Sequence, residues 1–115
     1  MGRRNRQRTK LVAEVSEYPD ADGNLLALRG SLTPATRRRY ADVLGGGLSR
    51  EDARQRALEL LFEHLAVSWT IAGLATTRQK ELLGRYRMAS APERDFIRDS
   101  LRIHVTENFP DLEVP

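Results

Sequence analysis

The sequence predicts a mainly α-helical fold, a four-helix orthogonal or bundle-like domain with a short N-terminal β-hairpin and a disordered basic arm. Three observations predict it. Ser49 and Ser90 are each followed, three positions later, by an acidic residue, a pattern that caps the start of a helix. Thr33 precedes Pro34, and proline is favoured at the first helical position. Apolar side chains would cover most of the circumference of a helix over residues 50–74.

The composition agrees with one folded domain. Of the 115 residues, 40% are hydrophobic and 30% are charged, which is typical of globular proteins. The absence of cysteine excludes a disulfide scaffold, a thiolate zinc site and a cysteine nucleophile, and is consistent with a reducing compartment. Polar residues interrupt the longest apolar stretch, residues 60–75, and the N-terminus has no apolar signal core. We therefore expect a cytoplasmic protein that is neither exported nor inserted in a membrane.

The basic arm is predicted over residues 1–10. It has five cations and no acidic residue: Arg3, Arg4, Arg6, Arg8 and Lys10. The formal net charge of the whole chain is +3, and without these five cations the remainder has 14 basic and 16 acidic residues, a net charge of −2. The excess positive charge therefore belongs to the arm.

Residues 11–30 are predicted to form the β-hairpin. Apolar and polar residues alternate from Leu11, and residues 25–28 form a second apolar run. Between them, residues 19–24 are rich in types that tolerate turn dihedral angles. Asp20, Asp22 and Asn24 resemble the start of a calcium loop, but Leu25 stands where such a loop requires glycine. An ordinary turn is therefore expected.

Residues 31–110 are predicted to form the helical domain, with residues 111–115 as a tail. Helices are expected at about residues 34–44, 50–74, 78–88 and 91–108, and three glycines from Gly45 end the first of them. The broad apolar surface of the second helix predicts either the centre of the domain or an oligomer interface. One apolar stripe of this helix would include Leu61, Leu65 and Trp69.

No catalytic motif is recognisable. The sequence has no phosphate loop after a strand, no serine elbow and no paired-carboxylate motif, and its two histidines, His64 and His104, lack the acidic spacing of a di-iron bundle. The sequence indicates no functional role for either histidine. The sequence predicts no metal and no cofactor, and it favours a protein that is not an enzyme.

The first functional hypothesis is a small DNA-binding or regulatory protein that forms a homodimer. The basic arm would supply phosphate affinity. The helices around the turn at Gly73 would form a helix-turn-helix-like pair, in which the second helix enters the major groove. Arg78 and Gln79 would contact bases, with Lys80 and Arg85 beside them. The arginines at 37–39 are expected to be the solvated side of a short helix.

Two other hypotheses remain open. One is a protein–protein adaptor or assembly subunit of the phage or mobile-element type, in which Leu61, Leu65 and Trp69 are buried in a homo-oligomer interface. The other is a ligand carrier or an enzyme whose pocket is not visible in the sequence.

Overall fold

The computed structural model describes residues 14–47 and 49–115, which form an α+β fold of four helices and one four-stranded antiparallel sheet. In the order β1-β2-β3-β4 across the sheet, the strands are Val15–Pro19, Leu25–Arg29, Ala66–Ile71 and Leu74–Thr76. The helices α1 to α4 are Pro34–Leu44, Arg50–Leu65, Gln79–Arg87 and Ala91–Asn108. Two strands followed by two helices therefore occur twice, and pairing between β2 and β3 joins the two halves.

This architecture shows that the prediction of a mainly α-helical bundle is wrong. The helix expected over residues 50–74 ends at Leu65, because Ala66 has extended backbone angles of φ −68° and ψ 123°. The residues that follow form the β3–β4 hairpin. An uninterrupted apolar run fits a buried strand as well as a buried helix. The β-branched and aromatic residues in β3, Val67, Trp69, Thr70 and Ile71, favour the strand.

The sheet directs one face toward the helices. Tyr18 is paired with Leu26, Leu26 with Trp69, and Trp69 with Thr76, so these side chains form one row on that face. A bulge after Ala27 brings Leu28 opposite Ala66. Leu26 and Leu28 of β2 and the tryptophan of β3 pack against apolar residues of the four helices, which include Leu61, Phe62, Leu82, Ile97 and Leu101. One core therefore lies between the sheet and the helices.

Hydroxyl caps fix the start of three helices. The Oγ1 atom of Thr33 accepts from the amide of Thr36 at 3.1 Å, and the Oγ atom of Ser49 accepts from the amide of Asp52 at 3.2 Å. Ser90 and Glu93 form a reciprocal capping box at the start of α4. The helices that these caps begin start where the sequence predicts. Helix α3 follows Arg78, which provides no side-chain cap.

His104 fastens α4 to the sheet from inside the core. Its side chain is fully buried, and its Nε2–H donates to the backbone carbonyl oxygen of Arg29 at 2.7 Å. The Nδ1 atom accepts from the hydroxyl of Tyr18 at 2.8 Å. Because the carbonyl oxygen can only accept, the proton of the neutral ring lies on Nε2 and leaves Nδ1 as an acceptor, and burial lowers the pKa of His104. Over the described ranges, no helix is long and apolar enough to cross a membrane.

Candidate nucleic-acid interface

A polar cavity of about 270 Å³ lies where β2, α2 and α3 meet. Its lining is Arg29, Glu63, His64, Ala66, Thr77 and Gln79. Arg29 is the last residue of β2, Glu63 and His64 belong to the last turn of α2, and Gln79 is the first residue of α3. The chain therefore brings together three segments that are distant in sequence at this end of the sheet.

Two contacts define the cavity wall. The Nε2 atom of Gln79 donates to the backbone carbonyl oxygen of Glu63 at 3.0 Å, which holds the start of α3 against the end of α2. The Nε2 atom of His64 is buried, and the described part of the chain offers it no hydrogen-bond partner. A buried polar atom without a partner is costly, so it favours binding of a group that supplies one.

The start of α3 adds a second feature that favours anions. Because Arg78 provides no side-chain acceptor, the first amide groups of α3 are left without a side-chain cap. Uncapped amides and the helix dipole together attract negative charge. Arg78 and Lys80 are exposed on either side of Gln79. Neither forms an ion pair with any residue in 14–47 or 49–115.

The first described residues of the chain lie beside the same cavity. Val15 is paired with Arg29, and the amide of Gly30 donates to the carbonyl oxygen of Glu14 at 2.7 Å. Glu14 is the first described residue, so the chain enters the sheet next to Arg29. The five predicted DNA-binding residues of the arm lie outside the described residues: Arg3, Arg4, Arg6, Arg8 and Lys10.

The helix-turn-helix interpretation fails on geometry. Helices α2 and α3 are separated by the whole β3–β4 hairpin, so the short turn that the motif requires is absent. Of the residues predicted on the second helix, Gln79 lines the cavity, and Arg78 and Lys80 are its exposed neighbours in sequence. Arg85 is elsewhere, with its guanidinium 5.6 Å from the centre of the Trp69 ring.

The residues predicted for an oligomer interface lie in the core of a single chain. Leu61 and Leu65 are fully buried, and Trp69 is 2% exposed. They pack against neighbours on the sheet and the other helices because α2 is shorter than predicted and its apolar surface is covered by β3, α3 and α4. These three side chains therefore belong to the core of one chain, and Leu61 and Leu65 are not exposed to solvent.

Many other arginines have partners within the fold. Arg87 pairs with Glu59 at 3.2 Å, and Arg37 pairs with Asp111 at 3.0 Å. Arg98 lies between Asp95 and Asp99, at 3.3 and 3.0 Å. Arg29 has no ion-pair partner in the described part of the chain, although Glu63 shares the cavity lining with it. The cations around the cavity are thus among those left to bind an external anion.

Comparison with family models, with curated proteins and with solved structures finds no match to this chain. The fold and the site define an α+β protein whose cavity is lined by one arginine, one glutamate and several uncharged hydrogen-bonding side chains. No cluster of three metal-ligating side chains occurs within the described ranges. Sequence analysis missed Arg29, His64 and Thr77, because no local pattern shows that the end of β2 lies beside the start of α3.

Proposed function

We propose that this is a non-enzymatic cytoplasmic protein that binds double-stranded DNA through its phosphate backbone. The observation that supports it is the position of Arg29 between two parts of the chain that are far apart in sequence. Val15, next to the first described residue, is paired with Arg29, and Arg29 lines one cavity with Gln79 at the start of α3. Cations that converge on one end of a molecule can follow successive phosphates along a duplex.

The chemistry of the cavity fits one phosphodiester group. Arg29 supplies a guanidinium, Thr77 a hydroxyl, and His64 a ring nitrogen that has no partner within the described chain. Glu63 opposes an anion, so binding depends on Arg29 together with Arg78 and Lys80 outweighing that carboxylate. We expect these groups to orient the duplex without selecting bases, since phosphate contacts themselves carry no sequence information.

Salt-dependent titration of a fluorescent duplex tests the cavity directly. The wild type should bind at low salt, and its affinity should fall steeply as salt is raised. The triple variant Arg29→Gln, Arg78→Gln and Lys80→Gln should reduce the slope of log K against log salt by about 0.9 for each phosphate that the variant no longer neutralises. A wild type that does not bind at low salt would contradict the proposal.

A matched variant separates a defined site from general charge. Arg38, Arg39 and Arg50 are also exposed but belong to α1 and to the start of α2, so their replacement by glutamine changes the net charge by the same amount and leaves Arg29 and the start of α3 intact. If both triple variants reduce the affinity equally, binding is nonspecific attraction and the cavity has no special role. Replacing the five arm cations by glutamine should cost more affinity than either triple variant, because it removes more charge.

A further inference from the structure

A second concave surface lies on the other side of α3. This α3 groove, of about 440 Å³, is lined by Trp69, Glu81, Gly84, Arg85, Met88, Ala89 and Glu93. Four of the seven residues, Glu81, Gly84, Arg85 and Met88, form an exposed stripe along α3 and just past its end. The floor of the groove is formed by Trp69 of β3.

Apolar surface and an unused donor meet in the α3 groove. Trp69 is 2% exposed, and its buried indole N–H has no acceptor among the described residues. Met88 is 88% exposed, and Leu74 on the edge strand β4 is 74% exposed. Leu74 projects to the same face of the sheet as Thr76, which is paired with Trp69. Exposed apolar residues that flank a groove indicate an interaction surface.

The charges of the α3 groove are complementary to a copy of themselves. Glu81 and Arg85 are one turn apart, yet they form no ion pair in the described chain, because the Arg85 guanidinium lies over Trp69. When two such helices pack antiparallel about a twofold axis level with Leu83, midway between these two residues, each Glu81 faces the Arg85 of the other chain. A Cβ atom added at Gly84 would have no atom within 4 Å, so the helix backbone is open to close approach there.

We infer that a second copy of this chain occupies the α3 groove, with the two α3 helices antiparallel and the axis level with Leu83, next to Gly84. The inference does not depend on DNA binding. Each chain would cover the other's exposed Met88. A helix of nine residues is about 13 Å long, so we expect a weak dimer that dissociates on dilution.

Sedimentation equilibrium over a concentration series tests the dimer by charge reversal. Glu81→Arg and Arg85→Glu each place like charges at both symmetric contacts, so each should weaken the dimer about tenfold. The double variant E81R/R85E restores opposite charges and should recover most of the affinity. A double variant as weak as either single one overturns the inference. So does a wild type that remains monomeric at every concentration, which would leave the groove to a different ligand.

Gly84→Gln supplies an independent test that keeps the monomer folded. The position has open space around it, and glutamine is a better helix former than glycine, so the monomer should be more stable. The added side chain should prevent close approach and abolish the dimer. Trp69, the only tryptophan, should then show no change in emission on dilution. A dimer retained in Gly84→Gln contradicts the proposed axis, and Gly47→Gln, which also has open space around it and lies outside the groove lining, is the control.

Discussion

His104 shows how one residue can connect the two ends of the chain. Its ring joins the hydroxyl of Tyr18 in β1 and the carbonyl of Arg29 in β2 to helix α4. The side-chain amide of Asn108 is also 3.2 Å from Nδ1, which leaves that nitrogen an acceptor. A buried ring whose hydrogen bonds require the neutral form is stabilising only while it stays neutral.

We expect the stability of the protein to fall when the solution becomes acidic. Burial lowers the pKa of His104 below its ordinary value of 6.5, so the unfolded chain binds a proton that the folded chain does not. The contribution of the neutral His104 ring to the free energy of unfolding is therefore complete above pH 6.5. It is lost as the pH falls from 6.5 to the pKa of His104 in the folded state. Urea unfolding between pH 7.5 and 5.5 should give a slope of at most about 1.4 kcal/mol per pH unit.

Variants of the two histidines show which group causes the pH dependence of the free energy of unfolding. His104→Gln should remove it, whereas His64→Gln should retain it, because His64 makes none of these hydrogen bonds. A slope that persists unchanged in His104→Gln would assign the pH dependence to another group. Glu107 faces the ring and attracts a proton to it, so Glu107→Gln should make the slope slightly steeper.

At the scale of elements, the parts of the fold that local chemistry determines are the ones the sequence predicts. Thr33, Ser49 and Ser90 accept hydrogen bonds from amides of the helices that they begin. A cap is an interaction between residues three apart, so it can be recognised without knowing the rest of the fold. The β3–β4 hairpin could not be recognised in this way, because its apolar run follows a helix without a break.

Removing one cap should cost a predictable amount. Ser90→Ala removes the hydroxyl that accepts from the amide of Glu93, and it disrupts the capping box of α4. We expect the free energy of unfolding to fall by about 1 kcal/mol. Chemical denaturation measures this, with Ser31→Ala as the control because Ser31 is exposed and lies outside every helix. Equal effects of the two substitutions would show that the capping box contributes nothing.

The turn of the β3–β4 hairpin contains backbone strain that substitution can relieve. Ala72 has a φ of 52° and Gly73 a φ of 80°, which is the left-handed region that two-residue hairpin turns require. Asparagine adopts that region more readily than alanine, so Ala72→Asn should stabilise the protein by several tenths of a kcal/mol to about 1 kcal/mol. Gly73→Ala should do the opposite. Thermal unfolding of both variants should show shifts of opposite sign.

At the scale of the whole molecule, the site is less predictable than the fold. Arg78, Gln79 and Lys80 are recognisable as a basic helix start, but their interpretation as base-reading residues depended on a helix pair that is absent. Arg29 has no distinctive sequence neighbours, and only the antiparallel pairing of β1 with β2 brings it beside Val15, close to the first described residue. A site built from the ends of separate elements becomes visible only after those elements are assembled.

The pairing between β2 and β3 also has a consequence for how fast the protein folds. It connects Leu25 with Thr70 and Leu28 with Ala66, so it closes a loop of about 40 residues, whereas both hairpins close locally. A two-stranded hairpin is marginal in water, so neither half should persist before the halves meet. We therefore expect the rate-limiting step to be the formation of this ladder.

Stopped-flow kinetics can locate that step. Ala27→Gly weakens the centre of the ladder and should mainly slow folding, whereas Ser90→Ala should mainly speed unfolding. The reverse pattern would place the start of α4 in the folding nucleus. If the expectation holds, the time that the chain spends unfolded after synthesis depends on how fast β2 and β3 pair. The length of the segment between them, which contains α1 and α2, then affects the folding rate.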